Sequence, residues 1–298
     1  MKVGFAGTGT FAQLVWRQLT QGSYPPCLLV TAPAAGRGGA RQRAVAPLAA
    51  LAETAGVPVL APMAWDAAAI AQVTAADLDC LVVADYGRKL PTGHLPCAIN
   101  VHPSLLPRWR GAAPVQRALW EGDRYTGVSI IRLTDVIDAG PLYAQSATAI
   151  SDTEDAGQLS ARLAALAGPL LEDVLAAIAQ GSAVPAAQDR AGARWARRLQ
   201  PEEEWLSLDQ LSSVSTIRRV RALSPRPGAK ATLAGRVVQI LSCTPSAVPA
   251  PPGAIQASDG QLIVGTVDGS VAVDRLRPAS GREMSGADFL RGLRGVWR

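Results

Sequence analysis

Three observations predict an α/β chain with a smaller β-rich domain behind it. Residues 1–180 alternate short apolar runs with amphipathic ones, the pattern of a mainly parallel sheet covered by helices. After about residue 204 the pattern changes to short β-type runs separated by Pro-Gly and Asp-Gly turns. The chain has 298 residues, 48% hydrophobic and 18% charged. That suffices for two packed domains at roughly 100–200 residues each and lies outside the disordered class.

The elements follow in order. Strands are expected at residues 2–6 and 28–31. A helix at 11–19 lies between them, with Phe11, Leu14, Val15 and Leu19 on one face. A Gly/Arg-rich loop at 33–46 leads to a helix near 48–55. The short strand at 57–60 contains Pro58, which cannot donate to a ladder and therefore marks a strand start or a sheet edge. Residues 78–84 and 98–101 are continuous apolar runs suited to buried strands. Residues 126–133 and 142–150 alternate and can form a hairpin that closes the sheet, and 156–180 carry a helical period. Residues 181–200 have no clear period. The resulting division is a first domain at 1–183, a linker at 184–203 and a second domain at 204–298. In the second domain, 206–223 is expected to be helical. Strands at 236–242, 254–257, 261–266 and 270–276 suggest a small barrel of the type that binds oligonucleotides.

Charge divides along the same line. Residues 1–203 hold 17 basic and 17 acidic side chains, whereas 204–298 hold 12 and 7, so the net +5 lies in the last third. A neutral domain joined to a basic one suggests chemistry in the first and attraction of a polyanion by the second. The alternative is a solvated surface without special meaning. The chain has 26 Arg but only 3 Lys, a bias more in keeping with coding composition than with function.

Other classes are disfavoured. No apolar run reaches the roughly 18 residues of a spanning helix. Met1-Lys2-Val3-Gly4-Phe5-Ala6 enters a strand directly, without a hydrophobic leader core, so a soluble cytoplasmic protein is expected. Cys27, Cys80, Cys97 and Cys243 form no C-x-x-C pair and are expected as free thiols, three of them in apolar runs. Two histidines, His94 and His102, make a metal site improbable. No coiled-coil or apolar stripe stands out, so a monomer is expected.

Gly7-Thr8-Gly9-Thr10-Phe11-Ala12 follows the first strand and nearly fits the dinucleotide fingerprint. That fingerprint also needs an acid about 20 residues on, at the end of the second strand. Here that strand ends Val30-Thr31-Ala32-Pro33, and the first acid after Gly9 is Glu53. A tight strand-to-helix turn is the better reading, and a nicotinamide dehydrogenase the weaker one.

Residues 99–117 carry the chemistry. Asn100 and His102 stand two apart on a strand and so share a face, at the carboxyl end where open α/β sheets place their sites. An amide beside an imidazole can polarise a carbonyl and move a proton, although a strand-end histidine alone is more often structural. Asp138, in Asp135-Val136-Ile137-Asp138-Ala139-Gly140-Pro141, is ordinary turn chemistry by itself. It also lies in a loop that returns toward the same sheet, where it could orient His102.

Asn100-x-His102, then Ser104-Leu105-Leu106-Pro107 and Asp138-x-Gly140-Pro141, resemble the core of the folate-dependent formyltransferases. Residues 106–117, Leu-Pro-Arg-Trp-Arg-Gly-Ala-Ala-Pro-Val-Gln-Arg, resemble the branch that acts on methionyl-tRNA. Phe5-Ala6-Gly7-Thr8, Ala35-Gly36-Arg37-Gly38, Asp85-Tyr86-Gly87, Thr126-Gly127-Val128 and Met284-Ser285 fall in that family's order, so the resemblance covers nearly the whole chain. It implies a Rossmann-like formyltransferase domain and a C-terminal domain resembling an OB-fold barrel. It further implies 10-formyltetrahydrofolate as donor, methionyl-initiator tRNA as acceptor, and direct acyl transfer without metal or covalent intermediate.

The implied catalytic residues are Asn100, His102 and Asp138. The implied folate contacts are Asp85, Tyr86, Gly87, Ser104, Leu105, Leu106, Pro107 and Asp135. Arg37, Arg41 and Arg43 match the loop that reaches the tRNA acceptor end, and Arg218 and Arg221 are candidates for wider phosphate contact. Asp85 stands where the family usually has a small residue, and Arg226 where it often has Trp between two prolines. Sugar-amine formyltransferases, deformylases and a bare RNA-binding module are the remaining rivals. The first two would not need a basic second domain.

Overall fold

The computed structural model describes residues 1–33, 47–91, 93, 95–189 and 191–293. In chain order the first elements are β1 (Val3–Gly7), α1 (Thr10–Thr20), β2 (Pro26–Val30), α2 (Pro47–Thr54), β3 (Val59–Leu60), α3 (Ala67–Ala75), β4 (Cys80–Ala84) and β5 (Ala98–His102). Then come β6 (Arg110–Gly111), α4 (Pro114–Glu121), β7 (Tyr125–Arg132), β8 (Leu142–Ala149), α5 (Ala156–Ala179) and β9 (Trp195–Ala196). Seven strands form one sheet in the order β3-β2-β1-β4-β5-β7-β8. β1 to β5 run parallel, and β7 turns back antiparallel to β5, with Asn100 opposite Ile131 and His102 opposite Ser129.

Side-chain chemistry accounts for this layer. β1 and β4 are buried along their whole length, as expected of strands covered on both faces. On one face Ala6, Leu28, Val30, Leu81, Val83 and Ala98 share a core with Val73 of α3. α1 buries Phe11, Ala12, Val15, Trp16 and Leu19, and Trp16 meets Phe5 edge to face at 5.6 Å. β3, with Pro58 just before it, is the edge strand, and β7 and β8 close the other side. The α3 helix, rich in alanine, carries too little apolar contrast to be seen in the sequence pattern. Asp66 caps α3 through its carboxylate on the Ala69 N–H at 2.9 Å.

The remaining elements are α6 (Ser213–Leu223), β10 (Ala229–Leu233), β11 (Arg236–Ser246), β12 (Ile255–Ser258), β13 (Gln261–Thr266), β14 (Gly269–Pro278), β15 (Met284–Ser285) and α7 (Gly286–Arg291). They build a six-stranded antiparallel sheet in the order β10-β11-β14-β13-β12, with β15 on β14. Register shifts in β11 around Ser242 bend the sheet. Leu223, Ala231, Leu233, Ile240, Leu262, Val264, Val271 and Leu276 fill its core. The helix expected over 206–223 begins only at residue 213. The Ser212 hydroxyl takes the Ser215 N–H, a cap that starts the helix there. Residues 206–211 instead lead in from a contact along β10, where the Leu206 N–H donates to the Lys230 carbonyl at 2.8 Å, and they bury Leu206 and Leu208. β10 escaped sequence reading because its buried positions are mostly alanine.

Two compact units divide the chain, and the division is interleaved. One comprises 1–114, 125–148 and 160–196, and the other 115–124, 149–159 and 197–298. Within the second, Arg117 grips Glu203 with both terminal nitrogens at 2.7 and 2.9 Å. The Arg219 guanidinium lies 4.5 Å from the Trp120 ring. Arg117 holds the Glu203 carboxyl below its ordinary range.

Two outcomes follow. Ile99, fully buried on β5, when replaced by Ala should lose about 2–5 kcal/mol, read as a lower denaturant midpoint; an unchanged midpoint would contradict its burial. A depressed carboxyl stabilises above its unfolded value of about 4.3 and stops doing so as pH falls through its folded value. The stability gap between wild type and Arg117→Ala should therefore close below about pH 4 and stay open at neutrality. A gap independent of pH would assign the loss to packing of Arg117 on Trp120, whose ring lies 5.4 Å from its guanidinium.

Candidate active site

β5 delivers Asn100 and His102 to the carboxyl end of the sheet, His102 as the last residue of the strand and buried. Asp138 comes from the loop between β7 and β8 and sits between them. Asn100 Nδ2 donates to Asp138 Oδ1 at 3.0 Å, and His102 Nδ1 lies 3.6 Å from Oδ2. The Gly111 N–H donates to the same Oδ2 at 2.8 Å. On its other side His102 Nε2 is 2.8 Å from the Trp109 carbonyl. A carbonyl can only accept, so the ring carries hydrogen on Nε2. The three residues expected to be catalytic are thus together.

Local backbone explains the geometry. Asp138 adopts a left-handed φ of 50°, which Asp tolerates better than most residues. Gly111 has φ 120°, and a Cβ there would stand 2.6 Å from the Ala196 carbonyl oxygen, so only glycine can present that N–H. Pairing of β6 with β9 brings Ala196 there. The Gln188 amide donates to the carbonyls of Asp138 and Gly140 at 2.9 and 2.7 Å, and Arg110 holds the Gln188 oxygen at 2.6 Å. Residues 184–203, expected as an aperiodic linker, therefore contain a clamp on the Asp138 loop.

The segment from Ser104 to Pro107 is braced internally. Ser104 is fully buried, with its hydroxyl on the Arg108 carbonyl at 2.7 Å and its own carbonyl accepting from Ser129 at 2.6 Å. The Leu106 N–H donates to the Ser129 hydroxyl, and the Leu106 carbonyl accepts from Gln145 at 2.8 Å. Leu105 lies over Gly127, and Pro107 is half-buried near Gly192. Sequence reasoning missed Ser129, Gln145, Gln188 and the Gly111 N–H. Each acts through a partner distant in sequence, for which periodicity carries no signal.

Asp85 and Gly87 are exposed on the loop leaving β4, and Tyr86 is half-buried, its phenol pushed up by burial. The Asp85 carbonyl accepts from the N–H groups of Thr8 and Gly9 at 3.1 and 3.3 Å. Its carboxylate fills the space above Gly9, where a Cβ would lie 1.7 Å from Oδ2. The glycine turn before α1 thus faces an anion supplied by the chain itself, in the place where a dinucleotide fold would set a phosphate. Asp135 is exposed and paired with Lys89 at 3.1 Å, joining the loop after β4 to the loop before Asp138.

Arg37, Arg41 and Arg43 lie outside the described residues. Arg218 packs on Gly122 and donates weakly to the Glu121 carbonyl at 3.4 Å. Arg221 is half-buried, its Nε on the Glu154 carbonyl at 2.8 Å and its Nη2 on that of Ser151. No helix of the described residues is long and apolar enough to cross a membrane.

Two family models match the chain: formyl transferase over residues 1–175, and the formyl transferase C-terminal domain over 198–294. The methionyl-tRNA formyltransferase of Methylococcus capsulatus is 37% identical, covering 97% of this chain and 96% of that one. That of Halorhodospira halophila is also 37% identical, covering 98% and 96%. Among solved structures, HypX from Aquifex aeolicus in complex with tetrahydrofolic acid shares the fold at a TM-score of 0.70 and 18% identity. The match covers 99% of this chain and 48% of HypX, so the chain spans about half of that protein's length. An N-formyltransferase from Helicobacter canadensis, complexed with folinic acid and dTDP-3-aminofucose, has a TM-score of 0.66 at 14% identity, covering 92% and 98%. Two matched domains and full-length identity above a third place the chain in the methionyl-tRNA formyltransferase family.

Proposed function

We propose that this chain transfers the formyl group of 10-formyltetrahydrofolate to the α-amino group of methionyl-initiator tRNA in the bacterial cytoplasm. The observation that carries the chemistry is the Asp138 carboxylate held between Asn100 and His102 at the end of β5. The identity of the acceptor rests on the full-length likeness to methionyl-tRNA formyltransferases.

The donor fits the loops around this cluster. Val83 is the register partner of Asn100, so the loop that leaves β4 at Asp85 starts near the level of His102. Its exposed backbone offers the N–H and carbonyl groups that a planar pterin needs. We assign Asp85, Tyr86 and Gly87, with Asp135 and the Ser104–Pro107 segment, to folate binding. 10-Formyltetrahydrofolate supplies an activated formyl group bonded to N10.

The amine attacks the formyl carbon, the carbon–N10 bond breaks, and a proton passes from the amine to N10. An α-amino group has a pKa of about 7.7–8.0, so a useful fraction is already free amine at neutral pH. The Asn100 amide has two hydrogens. Asp138 takes one and aims the group, and the other is assigned to the tetrahedral oxyanion. His102 carries hydrogen on Nε2, so Nδ1 is its basic nitrogen. Once it takes a proton, the ring has an acceptor at each end, Asp138 and the Trp109 carbonyl, which hold the cation until the proton moves on. Neither step calls for a metal. The basic segment 204–298, which includes Arg218, and the arginines Arg37, Arg41 and Arg43 are assigned to tRNA phosphates. Arg221 belongs to the same proposal with less to offer, since Glu154 and Ser151 already engage it.

The test is formylation of charged initiator tRNA with the folate donor. Wild-type protein should form formyl-methionyl-tRNA. Asn100→Ala should lose about 10²–10³-fold in kcat, and His102→Ala about 10²–10⁴-fold, both with folate binding retained. Folate binding without transfer to tRNA, but with transfer to an amino sugar or with hydrolysis, would overturn the acceptor. Neutralising Arg37, Arg41 and Arg43 together should raise KM for tRNA and flatten its salt dependence while leaving the folate KM unchanged. Equal changes in both KM values would contradict an RNA-specific role.

A further inference from the structure

Two thiols that the proposed chemistry does not use lie side by side in the sheet. β4 and β5 pair in parallel with Leu81 beside Ala98, and the Leu81 N–H donates to the Cys97 carbonyl. One residue back on each strand, Cys80 stands beside Cys97. Side chains alternate along a strand, so both thiols point to the face opposite Leu81, Val83 and Ala98, whose side chains fill the other core. Neighbouring strands run about 4.8 Å apart, inside the Cα separation of about 4.4–6.8 Å that a disulfide spans. Both cysteines are free thiols here, Cys80 fully buried and Cys97 half-buried.

The surroundings give the two sulfurs different characters. Arg132 is the register partner of Ile99 on β7 and so faces the same side as Cys97. Tyr143 on β8 hydrogen-bonds Arg132 at 3.4 Å. The Cys80 thiol, the Arg132 charge and the Tyr143 hydroxyl all favour the Cys97 thiolate and hold that thiol below its ordinary range. Cys80 is pushed up by its hydrogen bond to Cys97 and by burial. A partly accessible thiolate beside a buried thiol is the arrangement of an attacking and a resolving cysteine.

We propose that Cys80 and Cys97 form a reversible disulfide when the protein meets a peroxide. The Cys97 thiolate attacks one oxygen of hydrogen peroxide, the O–O bond breaks, and hydroxide leaves with a proton to become water. Cys97 is then a sulfenic acid. Cys80 attacks that sulfur and gives up its proton, the S–O bond breaks, and the second water leaves. Two thiols are oxidised and one peroxide is reduced to two waters. Attack by a small thiol on the partly exposed Cys97 sulfur would reverse the bond by thiol–disulfide exchange.

The experiment is peptide mapping of the folded full chain under non-reducing conditions, after limited hydrogen peroxide and quenching by alkylation. The expected product is a peptide pair linked through Cys80 and Cys97, two hydrogens lighter than the separate peptides and released by dithiothreitol. It should persist in the Cys27→Ser and Cys243→Ser variants. Cys80 recovered alkylated while Cys97 is found as sulfinic acid would overturn the proposal. So would linkage that forms only after denaturant is added, or that pairs Cys97 with Cys27.

Discussion

A nearly buried carboxylate must be satisfied by donors or it costs several kcal/mol, and Asp138 is that group here. Its two oxygens receive the Asn100 amide and the Gly111 N–H, with His102 Nδ1 next in reach. Much of the surrounding backbone exists to keep those donors in place. Gly111 must be glycine because Ala196 presses against it, and Ala196 is there because β9 pairs with β6. Gln188 ties down the loop that carries Asp138, and Arg110 ties down Gln188. Residues spread from 100 to 196 therefore converge on one charge. Asn100 is consequently held in one orientation by the fold itself, which the proposed role requires, because electrostatic stabilisation of a transition state depends on donors already in place.

The parallel sheet and the site strand were legible because each is carried by short-range pattern. Val3–Gly7 and Cys80–Ala84 are runs of buried apolar residues, and Asn100 and His102 share a face by the two-residue period alone. The brace was not legible. Ser129, Gln145 and Gln188 are small or neutral polar residues whose partners are backbone carbonyls, hydroxyls and N–H groups far away in sequence. The start of α6 was misplaced for a related reason: Leu206 and Leu208 continue the apolar period past a serine cap, and their burial serves the sheet core rather than a helix. β10 was missed because Ala229 and Ala231 carry little hydrophobic contrast.

The glycine turn before α1 shows how one motif separates into fold and function. Gly7-x-Gly9-x-x-Ala12 does what it does in dinucleotide folds. It brings backbone close at the switch between β1 and β4 and starts a helix whose first N–H groups favour negative charge. The ligand differs. Asp85, with its left-handed φ of 45° and its carbonyl on Thr8 and Gly9, brings a carboxylate over Gly9. A pyrophosphate would have to displace it. The missing acid at the end of β2 and the carboxylate over Gly9 point the same way, although only the first could be seen in the sequence.

β4 and β5 then carry the two proposed chemistries at opposite ends. Their carboxyl ends lead to Asp85 and His102. Their amino ends hold Cys80 and Cys97 under Arg132 and Tyr143, with only Cys97 partly open to solvent. A rigid strand of five residues separates the two ends, so neither cysteine can reach the formyl group and their reactivity is not part of the transfer. What the ends share is strand spacing. A bond between the thiols would act on the same pair of strands that sets the distance between the loop at Asp85 and the imidazole of His102. The thiol pair and the loops that follow β4 and β5 are therefore mechanically linked by the hydrogen bonds between the two strands.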